Sequence, residues 1–225
     1  MSSQPSGLVI AVDGPSGSGK SSTSRGVAAR LGLRYLDTGA MYRAMTWWLL
    51  RQGVDVLDPA AVAARVGEPE ILSGTDPLGP TILVDGLEVG LAIRGDDVNA
   101  AVSPVSAVPE VRARMVELQR EVIGAGDIVV EGRDIGSTVA PDAQVKIYLT
   151  ADPVARAERR AAEAGADDVA ATRESLLSRD AIDSTRAVSP LVRADGAVHL
   201  DTTAFTLDEV IDRIVALVEA VGEPV

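Results

Sequence analysis

Five short apolar runs punctuate the chain: LVIAV at 8–12, LRYLD at 33–37, DIVVEG at 127–132, VKIYLTA at 145–151 and AVHLD at 197–201. The first is continuous and rich in β-branched residues, the pattern of a strand buried on both faces. The others read as strands of the same sheet. Between them the apolar positions change to a helical period. A helix-like stretch follows GPSGSGKSS and runs to Leu31, closed by Gly32. The segment AMYRAMTWWLLRQG, capped by Asp37 or Thr38, predicts a second helix that ends at Gly53. In PEVRARMVELQREV, Pro109 takes the first helical position and Val111, Met115, Leu118 and Val122 share one face. Asp152-Pro153 opens a further helix. A GADDVAA loop separates it from another that carries RDAIDSTR. Thr206 and Glu209 form a T-x-x-E capping box for a last helix lined by Leu207, Val210, Ile211, Ile214 and Val218.

From about Gly67 to Asn99 the pattern breaks. Glycine and proline are frequent, and TILVDGLEVG predicts a hairpin about Asp85-Gly86. This stretch reads as a small β-rich insertion. The opening MSSQPSG reads as a flexible lead. Strands alternating with helices predict an α/β fold with a mostly parallel central sheet flanked by helices. Trp47 and Trp48 are expected to pack their helix against the core, and His199 to sit in the core or at a sheet edge.

Composition narrows the class. The chain has 225 residues, is 46% hydrophobic and 3% aromatic, and so builds an aliphatic core. No run approaches the roughly 18 apolar residues of a membrane span, and LVIAV lacks the flanks of a signal peptide. Zero cysteines and one histidine exclude disulfides, cysteine-ligated metal and multi-histidine metal sites. A cytoplasmic protein is expected. A net charge of −12 argues against nucleic acid as a partner. Yet seven arginines fall between 156 and 193, namely Arg156, Arg159, Arg160, Arg173, Arg179, Arg186 and Arg193. An acidic protein that concentrates arginine in this way is expected to hold a small anion. Lysine occurs only as Lys20 and Lys146.

Lys20 belongs to the strongest motif. Gly14, Pro15, Ser16, Gly17, Ser18, Gly19, Lys20 and Ser21, with Ser22 following, fit G-x-x-x-x-G-K-[ST]. Glycines let backbone N–H groups turn inward around a phosphate at a helix start, where the dipole favours anions. Lys20 is expected to reach the β- and γ-phosphates of ATP, and Ser21 to ligate Mg²⁺. The motif follows an apolar strand and opens a helix, which favours a nucleotide cradle over a merely flexible loop. Two classes use such a cradle. A GTP-hydrolysing switch needs an N-K-x-D guanine reader, and Lys146 in QVKIYL provides none. A kinase needs arginines over the transferring phosphoryl group. Arg156, Arg159 and Arg160, at i, i+3 and i+4 with few acids nearby, supply them. Arg179, Asp183 and Arg186 at i, i+4 and i+7 share one helical face. Their bland reading is a surface pair of Arg179 with Asp183, and their sharper reading is a clamp on an anion bearing hydroxyls.

Four further stretches decide between these: LDTGAMYR, SPVSAVPEVR, EGRDIG and RDAIDSTRAVSPL. With GPSGSGKSS, in this order and at these spacings, the chain resembles the bacterial cytidylate kinases from Leu8 to the final helix. The resemblance implies a P-loop NTPase fold with an inserted small β-rich NMP-binding domain and a helical lid. The core would be 1–66, 100–152 and 188–225, the insertion 67–99 and the lid 153–187. It implies transfer of the γ-phosphate of ATP, with Mg²⁺, to CMP or dCMP by a monomer. Arg43, Arg133 and Arg186 would hold the acceptor phosphate, and Asp183 with Arg179 the ribose. Ser103, Arg112 and Asp134 would read cytosine, and Thr38 and Tyr42 would line the acceptor site. Arg156, Arg159 and Arg160 match lid arginines that close over ATP. Asp37 would assist the metal through water. Glu131 stands where many relatives carry Asp. A kinase for UMP or dTMP, and a regulatory P-loop NTPase, are the competing readings.

Overall fold

The computed structural model describes residues 7–164, 168–185, 188 and 190–222. The lead at 1–6 and Arg186 lie outside the described residues, as does part of the GADDVAA loop. Five strands make the central sheet: β1 (Val9–Asp13), β2 (Arg34–Asp37), β6 (Ile128–Gly132), β7 (Val145–Thr150) and β8 (Val198–Asp201). All pair in parallel in the order β2-β6-β1-β7-β8. These are the five apolar runs. Strand β1 is buried along its whole length because both of its faces are covered. Val9 and Ala11 join one apolar cluster, and Ile10 and Val12 join the other.

The helices supply those clusters. On one face lie α1 (Lys20–Leu31), through Val27 and Ala28, and α8 (Leu207–Gly222), through Val210, Ile211, Ile214 and Val218. The expected capping box is present: Glu209 accepts from the Thr206 amide at 2.8 Å, and the Glu209 amide donates to the Thr206 hydroxyl at 3.3 Å. The other face is covered by α2 (Thr38–Arg51), α4 (Asp96–Ala107) and α5 (Pro109–Ile123). The short α3 (Pro59–Ala63) adds Val62 to the same cluster. Asp37 is the N-cap of α2, accepting from the Ala40 amide at 2.9 Å.

A separate antiparallel sheet, β3 (Ile71–Ser73), β4 (Ile82–Val84) and β5 (Leu87–Glu88), lies within the stretch 67–99. Its turn is the expected one. Asp85 and Gly86 adopt φ of 50° and 77°, the left-handed pair that a two-residue hairpin requires. Trp48 is buried and donates its indole N–H to Asp85 Oδ2 at 3.0 Å, tying the hairpin tip to α2. It packs, as expected. Helix α4 was not foreseen, and it crosses the boundary placed at 99/100. His199 is an exposed residue on the edge strand β8, with its Nε2 2.7 Å from the Thr150 hydroxyl. Helices α6 (Pro153–Ala164) and α7 (Val169–Thr185) pack together beyond β7. Helix α7 starts inside the segment read as a loop, because Asp168 accepts from the Ala171 amide and starts the helix early. Among the described residues, no helix is long and apolar enough to cross a membrane.

Strand register fixes where chemistry can occur. Asp13 lies opposite Gly132, Val12 opposite Glu131, and Asp37 opposite Glu131. Three carboxylates thus reach the carboxyl end of adjacent strands. There the chain leaves β1 toward β2 on one side and β6 toward β7 on the other. The crevice outside such a switch point is where α/β sheets bind ligands.

Candidate active site

The cradle closes as the motif predicts. Between β1 and α1, Gly14, Gly17 and Gly19 have φ of 149°, 76° and 85°. At Gly14 a Cβ would lie 2.0 Å from the Leu149 carbonyl oxygen, so only glycine lets the chain turn beneath β7. Ser18 is buried and donates to the Pro15 carbonyl at 3.0 Å. The Lys20 ammonium donates to that same carbonyl at 2.7 Å, folding the side chain over the loop. Ser16, Gly17, Gly19, Lys20, Ser21 and Ser22 face a cavity.

That cavity runs from the cradle to the insertion side of the core. Thr38, Tyr42, Arg43, Ser103, Arg112, Arg133, Asp134, Arg160 and Asp183 line it, together with Asp37. Lys20 and Arg160, 140 residues apart in sequence, therefore face one cavity. Lys20, Arg43, Arg94, Arg112, Arg133 and Arg160 put six cations on its wall against the four carboxylates Asp37, Glu131, Asp134 and Asp183. A chain of net charge −12 has gathered a cationic pocket, which suits polyanionic ligands.

Several wall residues are held by their neighbours: Arg43, Arg112, Thr38 and Arg133. Arg43 donates to Asn99 Oδ1 at 2.7 Å and to the Ile93 carbonyl at 3.2 Å, which aims its guanidinium from α2 toward α4. Arg112, only 2% exposed, donates to Asp134 Oδ2 at 2.5 Å, and its guanidinium lies 5.4 Å from the Tyr42 ring centre. Thr38 donates to the Glu131 carbonyl at 2.7 Å. Arg133 donates to Asp183 Oδ2 at 3.0 Å, joining the EGRDIG loop to α7. Arg179 lies on α7. Arg186 lies outside the described residues.

The three arginines of α6 divide. Arg160 lines the cavity. Arg159 donates to the Thr202 carbonyl at 2.8 Å and to the Thr202 hydroxyl at 3.0 Å, close beside Gly19 of the cradle. Arg156 corrects the expectation of few acidic partners. It is buried and paired with Asp180, and it donates to the Ser16 carbonyl at 3.0 Å. Asp180 also accepts from the Ser16 amide at 3.2 Å. Its partner lies 24 residues away on the next helix, beyond any local pairing rule.

Two buried acids were not among the expected site residues. Glu131 accepts from the Tyr35 hydroxyl at 2.5 Å through Oε1, Oε2 has no hydrogen bond of normal geometry, and the Ser21 hydroxyl lies beside the carboxylate. Burial pushes the Glu131 carboxyl up, and repulsion from Asp37 adds to this. Burial likewise lowers Lys20, reinforced by the Arg133 charge, while Glu131 and Asp13 oppose the shift. Asp13, the last residue of β1, is pushed up to about 6 by burial. A lone acid closing an apolar run was the only sequence signal for Asp13, and for Glu131 the one addition was its place where many relatives carry Asp.

The sequence model of the family described as cytidylate kinase matches residues 10–220. The chain belongs to the cytidylate kinase family. A cytidylate kinase of Streptomyces coelicolor is 61% identical over 214 residues, covering 94% of this chain and 93% of the relative. One from Streptomyces avermitilis is 59% identical over 214 residues, with the same coverage. One from Mycobacterium leprae is 49% identical over 217 residues, covering 94% of this chain and 96% of the relative. The fold is also similar to a solved structure of an uncharacterized protein from Eubacterium ventriosum, at a TM-score of 0.52 and 11% identity. That match covers 95% of this chain and 98% of the other. Membership of the cytidylate kinase family agrees with the enclosed cradle and the cationic cavity beside it.

Proposed function

We infer that the protein transfers the γ-phosphate of ATP to CMP or dCMP. The observation that carries this is the single cavity shared by the P-loop lysine and the Arg112–Asp134 pair. In this reading the ATP phosphates lie against the cradle amides and Lys20. The acceptor phosphate lies between Arg43 and Arg133, with Arg186 as the third cation. Asp183 and Arg179 take the ribose hydroxyls, and Ser103, Arg112 and Asp134 the base. Buried beside each other, Asp134 offers an acceptor and Arg112 a donor. Cytosine presents a donor at N4 and an acceptor at N3, so the pair complements its edge. Uracil presents a carbonyl where cytosine has the amine, and that oxygen would face a carboxylate.

The residues present fit Mg²⁺. Glu131 and Asp37 line the cavity with Ser21, and no cluster of three or more metal-binding side chains occurs among the described residues. That matches an ion carried in by nucleotide phosphates and met by one or two protein oxygens. Ser21 would hold it directly, with Asp37 and Glu131 reaching it through water. When bound it would offset charge on the transferring phosphoryl group.

The protein's own part is positioning and charge. Lys20 and the arginines face oxygens that gain charge in the transition state. The acceptor phosphate, with a second pKa near roughly 6, is already largely dianionic and needs no strong base. Arg160, with Arg156 and Arg159 on the same helix, would close over ATP and exclude water. The reading keeps the expectation of a cytoplasmic protein, which rests on the lack of cysteine, and of a monomer. Incubation with γ-³²P-labelled ATP, Mg²⁺ and CMP should place the label in the β-phosphate of CDP. Release of the label as inorganic phosphate at the same rate with and without CMP would contradict the reading.

A further inference from the structure

Asp13 takes no direct part in the chemistry above, yet it is 3% exposed and both of its oxygens are engaged. Oδ1 accepts from the Ile135 amide and Oδ2 from the Gly136 amide, each at 2.8 Å. These amides open the single widened helical turn Ile135–Val139, which begins immediately after Arg133 and Asp134. Asp134 has φ of −144° and ψ of 28°, outside both helix and strand. Its carbonyl closes the turn by accepting from the Thr138 and Val139 amides at 2.9 and 3.3 Å. The loop therefore leaves β6, presents Arg133 and Asp134 to the cavity, and is at once fastened to the end of β1.

Burying a carboxylate among apolar strands is costly unless it is hydrogen-bonded. A neutral side chain of the same shape would satisfy only one amide. An asparagine offers one acceptor oxygen and sets its NH₂ against the second N–H. Asp13 is also bonded through the chain to Gly14, the first residue of the cradle. One carboxylate thus joins the donor loop to the acceptor loop.

We propose that Asp13 is a positioning residue for the acceptor base, its two oxygens holding the turn at 135–136 so that Asp134 meets cytosine in register. The proposal rests on the reading of Asp134 as a cytosine-facing group. A residue that only stabilises the fold would lower activity toward every acceptor alike. A positioning residue changes the ratio between acceptors. An unsatisfied buried amide is expected to displace the turn, since leaving such a donor unpaired is strongly unfavourable.

The test compares wild type, Asp13→Asn and Asp134→Asn for kcat/KM with CMP and with UMP, for the KM of ATP, and for melting temperature. For Asp13→Asn we expect the CMP-over-UMP ratio to fall at least tenfold, mainly through the KM of CMP, with the KM of ATP within about threefold of wild type. A ratio within twofold of wild type, whatever the loss of total activity, overturns the proposal. Should Asp134→Asn keep the ratio, the reading of Asp134 fails, and that result is distinct from a failure of Asp13 alone. If Asp13→Asn does not fold, Gly136→Ala presses the same turn from outside. Its Cβ would lie 3.2 Å from Ala194 Cβ and 3.4 Å from Asp13 Oδ2. A fall of threefold or more in the ratio supports the proposal there, and an unchanged ratio overturns it.

Discussion

Lys20→Ala should reduce turnover about 10³-fold or more with every acceptor, because the side chain serves the donor phosphates whatever monophosphate lies opposite. Removing one preorganised donor of this kind typically costs about 10²–10³ in rate, and Lys20 adds a full charge. The ammonium is folded onto the Pro15 carbonyl at 2.7 Å. It is buried, and burial lowers its affinity for a proton. A phosphate anion arriving in the cradle reverses that balance by favouring the charged form. The fold should survive the change, since what remains at the cradle is backbone held by glycines and by Ser18. Melting temperature and single-turnover rates with CMP and UMP would check this. A loss confined to one acceptor would place Lys20 on the acceptor side and contradict the assignment.

Asp134 is expected to behave differently. Asp134→Ala removes the partner of a buried arginine, and breaking such a pair costs about 3–5 kcal/mol of stability. Arg112 is 2% exposed, so little solvent is at hand to replace the carboxylate. Loss of activity in the alanine variant therefore mixes folding with recognition. Asp134→Asn keeps shape and one acceptor, yet it can turn its NH₂ toward a uracil carbonyl. One good bidentate contact discriminates between bases by about 1–3 kcal/mol. The CMP-over-UMP ratio of kcat/KM should thus fall by roughly tenfold or more, with the rate on UMP nearly unchanged or raised. Equal losses on both acceptors would contradict a base-reading role.

Local chemistry explains which features were legible in the sequence. The five strands stood out because a sheet covered on both faces demands unbroken apolar runs, as β1 shows with alternate residues entering opposite clusters. The cradle and the Asp85-Gly86 turn were legible because a left-handed backbone restricts residue choice at the turn itself. Helix α4 was hidden by Pro104 in its interior, a residue that usually ends a helix. Its buried stripe of Val98, Ala101 and Val105 was present all along. The roles of Asp13 and Glu131 needed register. In sequence each is one acid closing an apolar run. Only the pairing of β6 with both β1 and β2 brings them beside Asp37 and the P-loop. Arg156 was misread for the same reason, since Asp180 reaches it across two helices.

In the proposed function one cavity binds ATP at the cradle and a cytosine monophosphate opposite it. The direct measurement is ADP release from Mg–ATP with CMP, dCMP, UMP, AMP, dTMP or no acceptor, at equal concentrations. Strong stimulation by CMP and dCMP is expected, with weaker stimulation by UMP and little release without acceptor. Stimulation foremost by another monophosphate would keep the phosphate clamp and remove the cytosine assignment. Release indifferent to every acceptor would contradict phosphoryl transfer to a nucleoside monophosphate.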